Sequence, residues 1–311
     1  AIFLCGILLY SSHQVLQNTL KLGQLMALVG MCGTLLPSVA NLALVFIPIN
    51  EAKIAFDRMF EFTGIEKEIN DTEQNLTPEF VLQSISMQNI LFRFAGRSPI
   101  LNNISLSVKT GESIAIIGDN GCGKSTLIQL LQKNYVAESG SITINHNINL
   151  KNISIDNWRK IIGTVPQQIH LFNTTVLENI AFEEAAINRE KVVTFLEQYG
   201  FMPFIELLPQ SYYTLVGEEG VNVSGGQRQI IALARALYHQ PKLLVLDEAT
   251  SAMDKEAEKL TLHLISTLQP TIAIIFITHK IEQIQMFCNK VYKIDKGVAS
   301  ITETSRVAQI G

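Results

Sequence analysis

The sequence predicts an α/β fold with a mixed sheet at its core, preceded by α-helices that cross a membrane. Three observations carry that reading. Near the N-terminus there is a 29-residue run, 22–50, without a charged side chain. Further on, three short apolar runs each end in polar, chemistry-bearing residues. A glycine-rich loop joins the first of those runs to a helical stretch.

The charge-free run comes first in the chain. Hydrophobic residues make up 47% of the 311 and charged residues 17%, against about 25% charged in an ordinary soluble domain. The deficit is local: apart from Lys21, no Asp, Glu, Lys or Arg occurs before Glu51. A helix needs roughly 20 apolar residues to cross a bilayer core of about 30 Å, so 22–50 reads as one full span whose end projects into water. Pro37, Gly30, Gly33 and Ser38 suit a helix packed among others in lipid. Residues 1–10 read as the end of a preceding span, with Ser11 to Lys21 as the connection. Because the chain opens at Ala1 in mid-hydrophobic sequence, it reads as the C-terminal part of a longer protein and not as a signal peptide.

Residues 51–67 alternate Ile54, Met59 and Phe62 with charges, as expected of the helix continuing out of the membrane. Lys53 and Arg58 are offset by Glu51 and Asp57, so charge bias sets no orientation. Residues 68–80 are polar, contain Pro78 and read as a linker. The domain expected over 81–311 holds the remaining motifs. Its alternating apolar positions over 85–109 predict an antiparallel β-subdomain, and 168–223 predict an α-helical subdomain. The formal net charge of −4 supplies no basic face and argues against nucleic acid as a partner. Cys5, Cys32, Cys122 and Cys288 lack metal-ligand spacing.

The run 113–117 is a buried-strand pattern followed by Gly118, Asp119, Asn120, Gly121, Cys122, Gly123, Lys124, Ser125 and Thr126, then by helical sequence. Strand, G-x-x-x-x-G-K-S, helix is a phosphate-binding loop in its proper setting. The glycines let backbone N–H groups converge on phosphate oxygens. Lys124 is suited to reach the β- and γ-phosphates and Ser125 to hold Mg²⁺. Cys122 fills a slot that needs a small residue; a redox role is the sharper alternative, since a thiol at a helix N-terminus can ionise readily.

The second run, 243–246, ends in Asp247 and Glu248, with Asp247 placed to hold Mg²⁺ through water and Glu248 to take a proton from the attacking water. A third, 271–277, ends in Thr278 and His279; a lone His is more often structural, but here it follows a strand aimed at the same edge. Between these runs, Ser224, Gly225, Gly226 and Gln227 open a helix and make a second anion site. One nucleotide is already served by Lys124, so the second loop implies another nucleotide, across a dimer.

Together these residues resemble the ATPase domain of ABC transporters, from about Val81 to Gly297. The resemblance implies ATP and Mg²⁺ as cofactors and a head-to-tail dimer in which Ser224 and Gly226 of one copy face the ATP of the other. It further implies that Gln167 touches Mg²⁺ and the attacking water, that Phe94 stacks on adenine, and that Asp254 lies in a loop crossing between subunits. Residues 216–220 are similar to the segment with which exporters touch their membrane domain. Leu171, Phe172 and Glu178 to Ile180 also match an exporter pattern. The junction at Glu51–Ala52 and Asp57–Arg58 is similar to that of exporters of peptides, toxins and drugs. The expectation is an exporter half-transporter in the cell (inner) membrane, its ATPase domain cytoplasmic, its partner a second, identical half. The sequence departs from the family in Val223 for the usual Leu, Phe94 for the commoner Tyr, and a tail after Gly297 without the usual ending. A soluble ATPase of the same family, clamping nucleic acid or ribosomes, is the alternative, disfavoured by 22–50. A nucleotide sensor without turnover is disfavoured by Glu248 and His279.

Overall fold

The 29 charge-free residues continue without a break into the charged sequence after them, as expected. In the computed structural model they form the first part of a 42-residue helix, α2 (Leu22–Thr63). At about 1.5 Å per residue, α2 is about 63 Å long, twice the bilayer core. It runs through both Pro37 and Pro48, as spanning helices can where neighbours satisfy the freed carbonyls. The preceding helix, α1 (Ile2–Leu16), packs against α2. It outlasts the expected end at residue 10, because Ser11 and Ser12 donate back to the carbonyls of Ile7 and Leu8 and so do not break the helix. The connection is therefore 17–21, where Asn18 at φ 60° turns the chain.

The described residues are 2–63, 75–77, 79–218, 220–279 and 287–303. They fall into two compact units, Ala1–Lys67 and Glu68–Gly311. Most of the expected linker, 68–74 and Pro78, lies outside the described residues, as do Glu219 and the last eight residues. In the first unit the apolar side chains face outward along the length of α2, from Met26 through Phe46 to Phe60. Such a surface is suited to lipid or to other spanning helices.

The second unit begins with β1 (Ser84–Phe92), β2 (Leu101–Lys109), β3 (Ser113–Ile117), α3 (Lys124–Leu131), β4 (Ser139–Ile144) and β5 (Ile148–Asn149). It continues with α4 (Ile155–Lys160), β6 (Ile162–Val165), β7 (Thr174–Thr175), α5 (Val176–Ala181), α6 (Glu183–Ile187), α7 (Arg189–Gln198) and α8 (Met202–Ile205). The remainder is β8 (Leu215–Val216), α9 (Gly225–Tyr238), β9 (Leu243–Asp247), α10 (Lys255–Leu268), β10 (Ala273–Ile277), β11 (Lys290–Asp295) and β12 (Val298–Glu303).

The central sheet has the order β12-β11-β3-β10-β9-β6 and is parallel except for β12. Its strands are apolar on both faces because both are covered. On one side Ile114, Ile116, Val245, Ile275 and Ile277 meet α3 and the antiparallel sheet β2-β1-β4-β5. On the other, Ala115, Leu244, Leu246, Ile274 and Phe276 meet the helices α5 to α10. The expected antiparallel and α-helical subdomains are thus both present, and the latter also contains the small strand pair β7-β8.

Trp158, the only tryptophan, is fully buried beside α3 and donates its indole N–H to Leu131 O at 2.6 Å. Trp158→Ala is expected to cost about 3–5 kcal/mol of stability. Denaturant unfolding followed by circular dichroism measures it, since the substitution removes the tryptophan fluorescence; a change below about 1 kcal/mol would contradict the packing.

Candidate active site

Strand register brings the chemistry to one edge. Ile277 of β10 is level with Ile116 of β3 on one side and with Asp247 of β9 on the other, and Val165 of β6 is level with Leu246. The segments that follow these four strands, beginning at Gly118, Glu248, Thr278 and Pro166, therefore leave the sheet at the same C-terminal edge, where α/β sheets bind ligands.

The first of them is the glycine-rich loop expected to bind phosphate. Gly118 sits so close to β11 that a Cβ would lie 2.3 Å from Ile294 O. At Gly123, which caps α3 with φ 108°, a Cβ would meet Leu101 Cδ2 at 2.6 Å. No side chain fits at either position. The first turn of α3 carries no acidic residue and leaves its amides unpaired by the helix, as an anion site requires. Lys124 is buried, its Nζ donating to Gly118 O and Asp119 O at 2.8 Å each, so its charge is held in the loop. Asp119, Asn120 and Ser125 are exposed, Thr126 is half-buried, and Gly121 turns the loop. Half-buried Cys122 lies with Sγ 2.7 Å from where a Gly118 Cβ would be, which accounts for a small residue there.

Glu248 joins the other three segments. Gln167 Nε2 donates to its Oε2 at 2.8 Å, and His279 Nδ1 lies 3.0 Å from its Oε1. Its side chain is only 13% exposed. Its backbone has φ 51°, a conformation uncommon outside glycine. It is held there by Glu248 N donating to Ile277 O at 2.9 Å and Ser251 N donating to Glu248 O at 3.1 Å. Beside it, burial and the Glu248 charge push the Asp247 carboxyl up to about 6, while Lys124 pulls it down. A cation there would favour the charged form.

Ser125, Gln167 and Asp247 offer hydroxyl, amide and carboxylate oxygens. This hard and sparse donor set fits Mg²⁺, which takes few protein ligands and shares the rest with water and phosphate.

Ser224 and Gln227 form a reciprocal capping box at the start of α9: Gln227 N donates to Ser224 Oγ at 3.2 Å and Ser224 N to Gln227 Oε1 at 2.8 Å. Gly225 and Gly226 pack tightly against Ala252 and Met253, where a Cβ would lie 3.0 Å from Ala252 Cβ or 3.1 Å from Ala252 O. A cleft of about 210 Å³ opens here, lined by Ser224 to Gln227 and Asp254 but by none of the phosphate-loop residues. The cleft at the start of α9 is therefore distinct from the Lys124 loop of the same chain. Asp254 caps α10, its Oδ1 accepting from Ala257 N at 2.8 Å and Glu256 N at 3.1 Å. Phe94 is half-buried, its ring edge-on to Phe92 and Tyr135 with centroids 5.1 and 5.3 Å away.

Three residues escape a reading of the sequence. Tyr135, beside Phe94, stands in a turn without a motif. Gln229, one turn into α9, bonds the backbone around Glu248. Asn179 lies within an exporter-like triplet, but only the fold shows it fully buried. There its amide bonds both backbone groups of Phe172, and Arg235 donates to its Oδ1.

Residues 101–251 match the ABC transporter family model. The chain is 36% identical over 289 residues to the leukotoxin export ATP-binding protein LtxB of Aggregatibacter actinomycetemcomitans, covering 92% of this chain and 40% of that one. To the α-hemolysin translocation ATP-binding protein HlyB of Escherichia coli O157:H7 it is 35% identical over 294 residues, covering 93% and 40%. The chain thus spans about 40% of the length of the curated relatives it matches. Among solved structures it is similar to a bacterial Atm1-family ABC exporter with ATP bound, with a TM-score of 0.79 and 28% identity over 97% of this chain and 53% of that one.

Proposed function

Since this chain belongs to the ABC transporter family, we propose that it is the ATP-hydrolysing, membrane-anchored end of an exporter half-transporter, working as a head-to-tail dimer. The observation that carries the reading is the Glu248 carboxylate, held between Gln167 and His279 at the sheet edge from which the Lys124 loop also departs.

ATP is bound with its phosphates on the amides of 118–126 and Lys124, and with its base against Phe94. Ser125, Gln167 and Asp247 would hold Mg²⁺, which would neutralise phosphate charge. Glu248 takes the proton of the attacking water, and His279 and Gln167 keep its carboxylate in place. Ser224, Gly225, Gly226 and Gln227 close on the nucleotide of the second copy, with Asp254 in the loop between the subunits. Closure and reopening of the two ATPase domains drive the membrane helices between inward- and outward-facing states. The separateness of the Ser224 cleft from the phosphate loop supports the dimer.

The candidate span Leu22–Glu61, which contains an 18-residue stretch with mean hydropathy 1.8, supports a lipid-embedded protein over a soluble clamp. The ATP site then faces the cytoplasm of the cell membrane. The two relatives' names speak of toxin export and translocation, which supports a toxin or a similar molecule as cargo.

Ser224→Cys provides the test, paired with the native Cys122 of a second copy through a short bifunctional thiol reagent. With MgATP the cross-linked dimer is expected, and Cys122→Ala is expected to abolish it. Absence of the cross-link under every nucleotide condition would overturn the head-to-tail reading.

A further inference from the structure

Gln229 is buried at 5% exposure on α9, five residues beyond Ser224, and its side-chain amide is fully committed to one loop. Nε2 donates to Glu248 O at 3.2 Å and to Ser251 Oγ at 3.3 Å, and Oε1 accepts from Ala252 N at 3.2 Å. The loop in question begins at the residue whose positive φ aims its side chain at Gln167 and His279. A residue in that conformation persists only where its surroundings hold it, and the Gln229 amide is one of the groups that do so. One turn earlier, α9 touches the same loop again. A Cβ on Gly225 would lie 3.0 Å from Ala252 Cβ, and one on Gly226 would lie 3.1 Å from Ala252 O. The helix therefore grips the loop at two heights, and a shift of its Ser224 end carries the loop with it.

We infer that Gln229 is a positioning residue for Glu248: it ties the backbone that aims the carboxylate to the helix whose start is offered to a second nucleotide. This rests on the reading of Glu248 as the proton acceptor. In the dimer, the consequence is that nucleotide gripped by the Ser224 end of one copy steadies that same copy's own Glu248.

The full-length protein in lipid vesicles tests this through Gln229→Met and Gln229→Glu. The first keeps the volume and removes all three bonds. The second keeps the acceptor for Ala252 N but puts a carboxylate, without a donor, against Glu248 O. Both are expected to lower kcat at least tenfold, with affinity for a fluorescent ATP analogue within twofold of wild type and a cooperative thermal transition retained, its midpoint a few degrees lower at most. In a Glu248→Gln background neither is expected to lower the residual rate further, because the group being aimed is already gone. A kcat within twofold of wild type for both would overturn the assignment. So would an equal fold loss in the two backgrounds, or a kcat loss that appears only with lost affinity and a midpoint lowered by more than that. Should Gln229→Met lose its thermal transition, Gln229→Glu decides. A wild-type rate no higher than that of Glu248→Gln would instead remove the reading of Glu248 itself.

Discussion

Glu248→Gln is expected to lower ATP hydrolysis by about 10²–10⁴-fold, the usual contribution of a positioned general base, while ATP is still bound. That loss corresponds to about 3–5 kcal/mol of barrier. The substitution keeps the length of the side chain and one oxygen able to accept from Gln167 Nε2, so the edge of the sheet is undisturbed. What it removes is the negative charge and the capacity to take a proton. The comparison needs two measurements on one preparation: phosphate release at saturating MgATP and equilibrium binding of a nucleotide analogue. Hydrolysis at the wild-type rate would show that the proton leaves by another route. Loss of binding in parallel would show that Glu248 shapes the loop and does not act on water. A half-transporter that binds ATP without hydrolysing it should also stay closed, so the Ser224–Cys122 cross-link should become more frequent in this variant.

Lys124→Ala is expected to weaken MgATP binding by about 10²–10³-fold, within the range for truncating one partner of a buried, hydrogen-bonded charge pair. The ammonium is nearly buried and held by two loop carbonyls. Its removal therefore takes away a positive charge and also the brace that folds the loop around it. Lys124→Arg should not restore binding, because a planar fork does not replace a compact ammonium between Gly118 O and Asp119 O. Thermal unfolding with and without MgATP reads the effect directly. A ligand at a hundred times its Kd adds about 2.7 kcal/mol to stability, so wild type should gain several degrees and the variant almost none. An equal gain in both would mean that the phosphates are held elsewhere.

Much of the ATPase unit is legible in the chain because its strands are short, buried on both faces and bounded by polar residues. The runs ending at Ile117, Leu246 and Ile277 each became a strand of the central sheet. The glycines of the loop are readable for a steric reason, since no side chain fits beside Ile294 O or Leu101 Cδ2. Helix ends read less well. Nothing local stops α1 at residue 10, because Ser11 and Ser12 can bond backwards as readily as they can cap. Pro48, which in water would argue for a helix end, is carried inside α2.

From the residues alone came the candidates for each role: a lysine and glycines for phosphate, an acid pair after a strand, a histidine after another, a serine and two glycines opening a helix. Chemistry is a property of side-chain type and local spacing, and both are written in the chain. Only the tertiary structure decided that Gln167 and His279 meet on Glu248, across 81 and 31 residues of sequence. It also decided that Gln229 holds that residue's backbone and that Asn179 is buried. Those meetings depend on sheet order and register, which are set by the burial of both faces of the whole sheet, and no stretch of sequence encodes them by itself.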